Sequence, residues 1–124
     1  MRNFTRGRLF SFKYAFSGLR YVILSQRNAW IHAVVTLLVV ILAAVLNLTL
    51  QDWGILLLAI GLVWTAEIFN TALEALVDLV SPQPHPLAKI VKDTSAAAVL
   101  VSAIISVMIG LLILLPPLVE RLIK

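Results

Sequence analysis

The chain has 124 residues, of which 61% are hydrophobic and 13% are charged, and its mean hydropathy is +1.03. A soluble domain is about half apolar and about a quarter charged, so this composition excludes an ordinary soluble enzyme, a disordered chain and a charged nucleic-acid binder. The net charge is +4, but the N-terminal region is basic and the first acidic residue is Asp52. A basic end on an apolar chain favours an anionic membrane surface over nucleic acid as its partner.

Residues 8–27 predict an amphipathic helix that lies in the membrane interface. Its apolar residues follow the i, i+3, i+7 spacing of one helical face: Leu9, Phe12, Phe16, Leu19 and Ile23. Basic side chains lie at or beside the edges of this stripe: Arg8, Lys13, Arg20 and Arg27. This arrangement is typical of helices that place lysine and arginine among lipid headgroups. Taken alone, the segment is equally compatible with a simple membrane anchor.

Three apolar stretches are each near the length of about 20 residues that crosses a bilayer. The predicted spans are residues 31–50, 53–80 and 94–115. A short turn at Gln51–Asp52 separates the first two spans, and Pro116–Pro117 is expected to end the third. The link at residues 81–86 contains three prolines and predicts a stiff, non-helical segment. The sequence therefore predicts an all-α membrane protein of one domain, with an interfacial helix and three transmembrane helices.

The distribution of lysine and arginine predicts the orientation of the spans. The N-terminal segment has six such residues and the link before the third span has two, whereas the turn between the first two spans has none. Lysine and arginine are enriched in the cytoplasmic segments of membrane proteins. We therefore expect the N-terminus, the proline link and the polar end of the second span to face the cytoplasm, which contains ATP.

The polar end of the second span carries three of the six acidic residues of the chain. At about 100° per residue, five polar side chains share one helical face about 100° wide: Glu67, Asn70, Thr71, Glu74 and Asp78. A carboxylate in a membrane helix costs several kcal/mol unless it faces protein, water or a cation. The pattern thus predicts a positive partner, either a metal ion or the lysines that follow. Simple pairing with Lys89, Lys92 or the N-terminal arginines suits Asp78, but it suits Glu67 poorly because Glu67 follows an unbroken apolar run.

The run from Glu67 to Asp78, EIFNTALEALVD, closely resembles the signature of the small integral-membrane bacterial diacylglycerol kinases and undecaprenol kinases, E-x-x-N-(S/T)-(S/A)-x-E-x-x-x-D. Other residues also fall where that family has them: Tyr14, Gly18, Leu19, His85, Lys92 and Asp93. The start of the first span looks like the undecaprenol-kinase branch at Asn28, Ile31 and His32. The resemblance covers about residues 8–115 without an evident gap.

This resemblance implies a homotrimer that transfers the γ-phosphate of ATP to the hydroxyl of a membrane lipid with Mg2+, in active sites shared between protomers. Carried over by position, Glu67 resembles the general base, Asn70 would position the reacting groups and Glu74 resembles a metal ligand. The nucleotide site would include Tyr14, Gln26, Glu74, Asp78, Gln83, His85, Lys92 and Asp93. The lipid site would include Glu67, Trp30 and His32. No nucleic-acid partner is implied.

Gln26 departs from the family pattern, which has a second metal-ligand glutamate at that position. An amide oxygen is a weaker magnesium ligand than a carboxylate, so either Glu74 and the ATP phosphates hold the ion with help from Asp78 or a neighbouring protomer, or activity is reduced. Trp30, where one branch has a basic residue, is a smaller departure. A degenerate homologue and a cation-binding assembly or carrier protein stay open as alternatives, although a phosphate-binding lysine at Lys92 favours the kinase. The acceptor lipid also stays open between undecaprenol and diacylglycerol.

Overall fold

The computed structural model describes the backbone of residues 2–123 and the side chains of residues 10–123. All regular structure in this part of the chain is helical, in four helices: α1 Arg2–Ser25, α2 Arg27–Val45, α3 Leu50–Val80 and α4 Pro86–Ile123. Helices α2, α3 and α4 are each long and apolar enough to cross a membrane. The predicted all-α class with three spans is therefore confirmed. The side chains of Arg8 and Leu9, part of the predicted amphipathic stripe, lie outside the described residues.

Helix α1 leaves most of its apolar stripe uncovered by the rest of the chain. Phe12 and Phe16 are 66% and 70% exposed, and Val22 is buried near the C-terminal end of the helix. The helix ends at Ser25 rather than at residue 27, because Gln26 adopts an extended backbone conformation and Arg27 already begins α2. A free apolar stripe is what a helix at the membrane surface requires, but its location in the interface stays a prediction.

The predicted turn at Gln51–Asp52 is wrong by several residues, because both residues belong to the first turn of α3. Helix α2 ends at Val45 instead of residue 50, and residues 46–49 form the turn. A capping box sets this boundary: the Thr49 hydroxyl accepts a hydrogen bond from the Asp52 backbone N–H at 3.2 Å, and the Asp52 carboxylate accepts one from the Thr49 N–H at 3.3 Å. Asn47 turns the chain with a left-handed φ of 53°.

The predicted stop at Pro116–Pro117 is also wrong, since α4 continues through both prolines to Ile123. Each proline removes one helical N–H donor, but contacts on either side hold the helix. Leu114 is buried in a cluster with residues of α2 and α3. Beyond the prolines, the Arg121 guanidinium donates to the backbone carbonyl of Val45, one of the carbonyls at the C-terminal end of α2 that lack a partner within their helix.

Helix α4 also begins earlier than the predicted span. Its first residue is Pro86, and the His85 imidazole accepts a hydrogen bond at Nδ1 from the Leu87 backbone N–H at 3.2 Å. Proline suits the first helical position because its missing N–H would have had no helical partner. The stiff link is therefore confined to residues 81–85, and the lysines that follow it lie on α4.

Helices α3 and α4 form the main packing interface, and α2 packs against both. Small side chains and interhelical hydrogen bonds bring the helices together: the Ser106 hydroxyl donates to the Ala59 carbonyl at 2.9 Å, and the Trp64 indole N–H donates to the Thr36 hydroxyl at 3.1 Å. A largely apolar cavity of about 450 Å³ lies between α2, α3 and α4. The outer faces of these helices are rich in exposed leucine, isoleucine and valine, as lipid contact requires.

Candidate active site

The polar face of α3 changes from buried to exposed along its length. Glu67, Asn70 and Thr71 are buried, Glu74 is half-buried and Asp78 is exposed. The five polar residues that the helical period placed on one face therefore meet three different environments. Each environment gives its carboxylate a different set of partners.

Glu67 is 1% exposed, and neither of its carboxylate oxygens has a hydrogen-bond partner. The nearest basic atom is Nε2 of His32 on α2, 3.8 Å from Oε2 of Glu67, and that nitrogen is also buried without a hydrogen-bond partner. The Thr71 hydroxyl donates to the Glu67 backbone carbonyl at 2.9 Å and so does not reach the carboxylate. A buried carboxylate without a hydrogen-bond partner costs free energy.

Glu74 lies at the centre of a hydrogen-bonded group that joins three helices. The Gln26 amide, at the joint between α1 and α2, donates to Oε2 of Glu74 at 2.9 Å, and the Asn70 amide donates to Oε1 at 3.2 Å. On α4, the Ser95 hydroxyl lies 2.7 Å from Oδ1 of Asn70 and 3.0 Å from the Lys92 carbonyl, so it can donate to one of them at a time. The extended backbone at Gln26 thus places its side chain against Glu74.

The residues around Glu74 fit a metal ion that arrives with phosphate better than one bound by the protein alone. Among residues 10–123, no three histidine, aspartate or glutamate side chains converge into a metal site. Each Glu74 oxygen accepts one amide hydrogen bond and keeps a further lone pair. Magnesium is commonly held by one or two carboxylates, with phosphate oxygens and water as its other ligands. The single carboxylate of Glu74 matches that pattern, whereas the amides of Gln26 and Asn70 present N–H groups to it.

A cleft of about 680 Å³ opens where α3 ends, the proline link turns and α4 begins. It gathers five of the residues predicted for the nucleotide: Asp78, Gln83, His85, Lys92 and Asp93. Lys92 forms an ion pair of 2.5 Å with Asp78, and Lys89 forms one of 2.5 Å with Asp93. The predicted lysine partner of Asp78 is therefore present, and Lys92 bridges α3 and α4 at the edge of the cleft.

Two predicted site residues are not gathered with the others within a single chain. Tyr14 on α1 is 70% exposed and does not line the cleft, and Trp30 on α2 is 58% exposed. His85 lines the cleft but also caps α4 through its imidazole. Ser95 was not predicted as a site residue. It lies three residues after Lys92, on nearly the same face of α4, but the sequence alone does not show that this face packs against Asn70.

A family model described as prokaryotic diacylglycerol kinase matches residues 13–114. An undecaprenol kinase of Bacillus subtilis is 43% identical over 108 residues, which cover 87% of this chain and 88% of that protein. A diacylglycerol kinase of Synechocystis is 44% identical over 113 residues, which cover 90% of this chain and 65% of that protein. A diacylglycerol kinase of Escherichia coli K12 is 33% identical over 94 residues, covering 76% of this chain and 77% of that protein.

Proposed function

Because the chain belongs to the prokaryotic diacylglycerol kinase family, we propose that it transfers the γ-phosphate of ATP to the hydroxyl of a membrane lipid alcohol in a Mg2+-dependent reaction. An ATP-dependent membrane lipid kinase is the activity that the family and the three span-capable helices support. The observation that carries the proposal is the Glu67 carboxylate, which is buried and has no hydrogen-bond partner within the described residues. It lies on the same face of α3 as Glu74, and the cleft lined by Lys89 and Lys92 opens where that helix ends.

We assign proton transfer to Glu67. As the oxygen of the lipid hydroxyl forms a bond to the γ-phosphorus, the bond from that phosphorus to the β–γ bridging oxygen breaks, and its electron pair stays on ADP. The hydroxyl proton passes to Glu67, whose two oxygens have no hydrogen-bond partner within the described residues. His32 on α2 lines the apolar cavity and lies 3.8 Å from the Glu67 carboxylate, which is not itself among the lining residues. A lipid alcohol held in that cavity would therefore reach Glu67 past His32.

We propose that residues at the exposed end of the site position the phosphates of ATP. Lys92 exchanges its contact with Asp78 for the ATP phosphates, and it neutralises negative charge during transfer. Gln26 and Asn70 hold the Glu74 carboxylate in place through their amides. Glu74 would hold a Mg2+ ion, joined by the amide oxygen of Gln26 if that amide turned its oxygen rather than its N–H toward the ion, and the ion would supply positive charge against the phosphates. Asn70 lies between Glu67 and Glu74 along α3 and donates its amide hydrogen bond to Glu74.

We propose undecaprenol as the preferred acceptor, with diacylglycerol as a second substrate. Asn28, Ile31 and His32 resemble the undecaprenol-kinase branch, and the similarity to the Bacillus subtilis undecaprenol kinase covers 87% of this chain and 88% of that protein. Apolar pockets discriminate lipid tails only modestly per methylene, which is why a single cavity lined by aliphatic side chains can accept both lipids.

We also propose a homotrimer in the inner membrane, with the N-terminus and the nucleotide cleft in the cytoplasm and active sites shared between protomers. The exposure of Tyr14 and Trp30 in a single chain supports this proposal, because residues that complete a shared site have no partner within their own chain. The molecular mass of the purified protein in detergent, corrected for bound detergent, tests the trimer directly.

The deciding experiment is radiolabelled phosphate transfer from ATP to undecaprenol and to diacylglycerol in mixed micelles, with and without Mg2+. We expect transfer to both lipids, a higher kcat/KM for undecaprenol and loss of transfer when Mg2+ is chelated. Absence of lipid phosphorylation under all these conditions would contradict the proposal. Cation binding without transfer would instead favour a degenerate homologue or a cation-binding assembly protein.

A further inference from the structure

Two buried polar groups on different helices face each other without forming a hydrogen bond. Nε2 of His32 on α2 lies 3.8 Å from Oε2 of Glu67 on α3, and neither group has another hydrogen-bond partner. The His32 and Glu67 side chains are only 16% and 1% exposed. Because 3.8 Å is too long for a hydrogen bond, packing brings these groups together but leaves both unsatisfied.

The separation of the two atoms suits one bridging oxygen. An oxygen about 2.8 Å from each atom has an ordinary hydrogen-bond distance to both, and two such contacts readily span the gap. The imidazole offers an N–H donor when Nε2 carries the proton, whereas the carboxylate offers only lone pairs. The complementary group must accept one hydrogen bond and donate another, as a hydroxyl does. A carbonyl oxygen cannot donate to Glu67, and an ammonium group cannot accept from His32.

The surroundings of His32 restrict what can carry this hydroxyl. His32 lines the cavity between α2, α3 and α4, and most of the other lining residues are aliphatic. The two hydroxyl side chains in that lining are already engaged: Thr36 accepts from the Trp64 indole, and Ser106 donates to the Ala59 carbonyl. His32 is therefore the polar side chain of the lining with an unsatisfied buried atom. Glu67 is not among the lining residues but lies 3.8 Å from His32, so a molecule that fits this cavity is apolar along its length and brings a terminal hydroxyl to His32 and, beyond it, to Glu67.

We propose that His32 is a catalytic residue that binds the acceptor alcohol directly. Its Nε2–H donates to a lone pair of the hydroxyl oxygen while the hydroxyl proton points at Glu67. During transfer the oxygen bonds to the γ-phosphorus, the proton passes to Glu67, the displaced electron pair leaves on ADP, and His32 keeps its own proton. This assignment rests on the proposed lipid-kinase function and adds to it the group that recognises the hydroxyl.

The test compares an alcohol with its deoxy analogue: dioctanoylglycerol and propanediol dioctanoate, which differ only in the terminal hydroxyl. Binding of each to the full-length protein in detergent is measured by competition with a fluorescent lipid, without ATP. We expect wild type to bind the alcohol about tenfold more tightly, as a hydrogen-bonded hydroxyl allows. In His32→Leu this ratio should fall to about one, with binding of the deoxy analogue unchanged. The matched control is Thr36→Val, on the same helix and in the same cavity, which should keep the wild-type ratio.

A second pair of variants keeps the test decisive if His32→Leu does not fold. His32→Gln places an amide donor at the reach of Nε2 and should keep most of the ratio, whereas the shorter His32→Asn should lose it. An unchanged ratio in His32→Leu or His32→Asn would overturn the proposal, and so would equal weakening of both ligands, which marks a structural role. The proposed function is tested separately. If the wild-type protein phosphorylates no lipid, the proposed function is wrong, whatever the ratio of the two binding affinities is.

Discussion

The carboxylates at the two ends of the polar face of α3 have opposite environments. At the exposed end, Asp78 pairs with Lys92 of α4. At the buried end, Glu67 is 1% exposed and has no hydrogen-bond partner, with His32 of α2 3.8 Å away. Both ends belong to one continuous helix and were predicted from one helical period.

The difference shows which acid needs a functional explanation. An exposed ion pair forms at little cost in water and contributes about 0–1 kcal/mol to stability, so Asp78 is accounted for by its lysine alone. A buried carboxylate that lacks hydrogen bonds costs free energy, and among the described residues the His32 imidazole, 3.8 Å away and not hydrogen-bonded to it, is the basic group near enough to offset that cost at Glu67. The largest functional effects are therefore expected at the buried end, and the smallest at the outermost ion pair.

Glu67→Gln should have the largest effect, a loss of about 10²–10⁴-fold in transfer to lipid, because the amide cannot accept the hydroxyl proton. The fold and the oligomer should be retained, since the amide has nearly the same shape as the carboxyl group. Initial rates in mixed micelles test the first statement, and size-exclusion chromatography with circular dichroism tests the second. Near-normal turnover would show that Glu67 is not the general base, and that the buried end of the polar face is no more important for activity than the exposed end.

Lys92→Ala should raise KM for ATP by about tenfold and leave KM for the lipid nearly unchanged, because a phosphate contact acts on the nucleotide. Lys89→Ala is the matched control, since Lys89 lines the same cleft and is also paired with an aspartate. Its KM for ATP should change by less than about twofold, as expected for an exposed pair. A change confined to the lipid KM in Lys92→Ala would show that the cleft does not hold the ATP phosphates.

Gln26→Glu should lower the Mg2+ concentration for half-maximal activity by several-fold. The new carboxylate replaces an amide that donates to Glu74 at 2.9 Å, so two carboxylates would meet there and need a cation between them. Without Mg2+ their repulsion should lower the thermal stability, and added Mg2+ should restore it. Gln26→Met, which removes the hydrogen bond without adding charge, separates the two causes. Unchanged Mg2+ dependence in Gln26→Glu would place the metal elsewhere.

Asp78→Asn should have the smallest effect on stability, a loss below about 1 kcal/mol, because both partners of its ion pair are substantially exposed. It should also free Lys92 for the nucleotide and leave KM for ATP unchanged or slightly lower. Thermal unfolding in detergent and ATP titration at fixed lipid measure the two quantities. A strong rise in KM for ATP would mean that Asp78 itself holds the metal or the nucleotide.

Helix boundaries show how local signals can be overridden by contacts elsewhere in the chain. The prolines at 116–117 argue for a helix end, yet α4 continues because Leu114 and Arg121 contact the α2–α3 region on either side of them. The capping box at Thr49 and Asp52 is a local feature of residues three apart, yet the turn was predicted at Gln51–Asp52 instead. The contact of Arg121 with Val45 is not local, because it joins residues 76 positions apart in the chain.

The sequence by itself determined the all-helical class, the three spans, and the single face that carries Glu67, Asn70, Glu74 and Asp78. Hydrophobic run length and a helical period of about 100° per residue are local properties that any reader of the chain can measure. Only the tertiary structure decided which groups meet these side chains: Gln26 at Glu74, Ser95 at Asn70, Lys92 rather than Lys89 at Asp78, and His32 opposite Glu67. These pairings depend on how α2 and α4 are rotated against α3, and that rotation follows from packing across the whole length of the helices rather than from any local pattern.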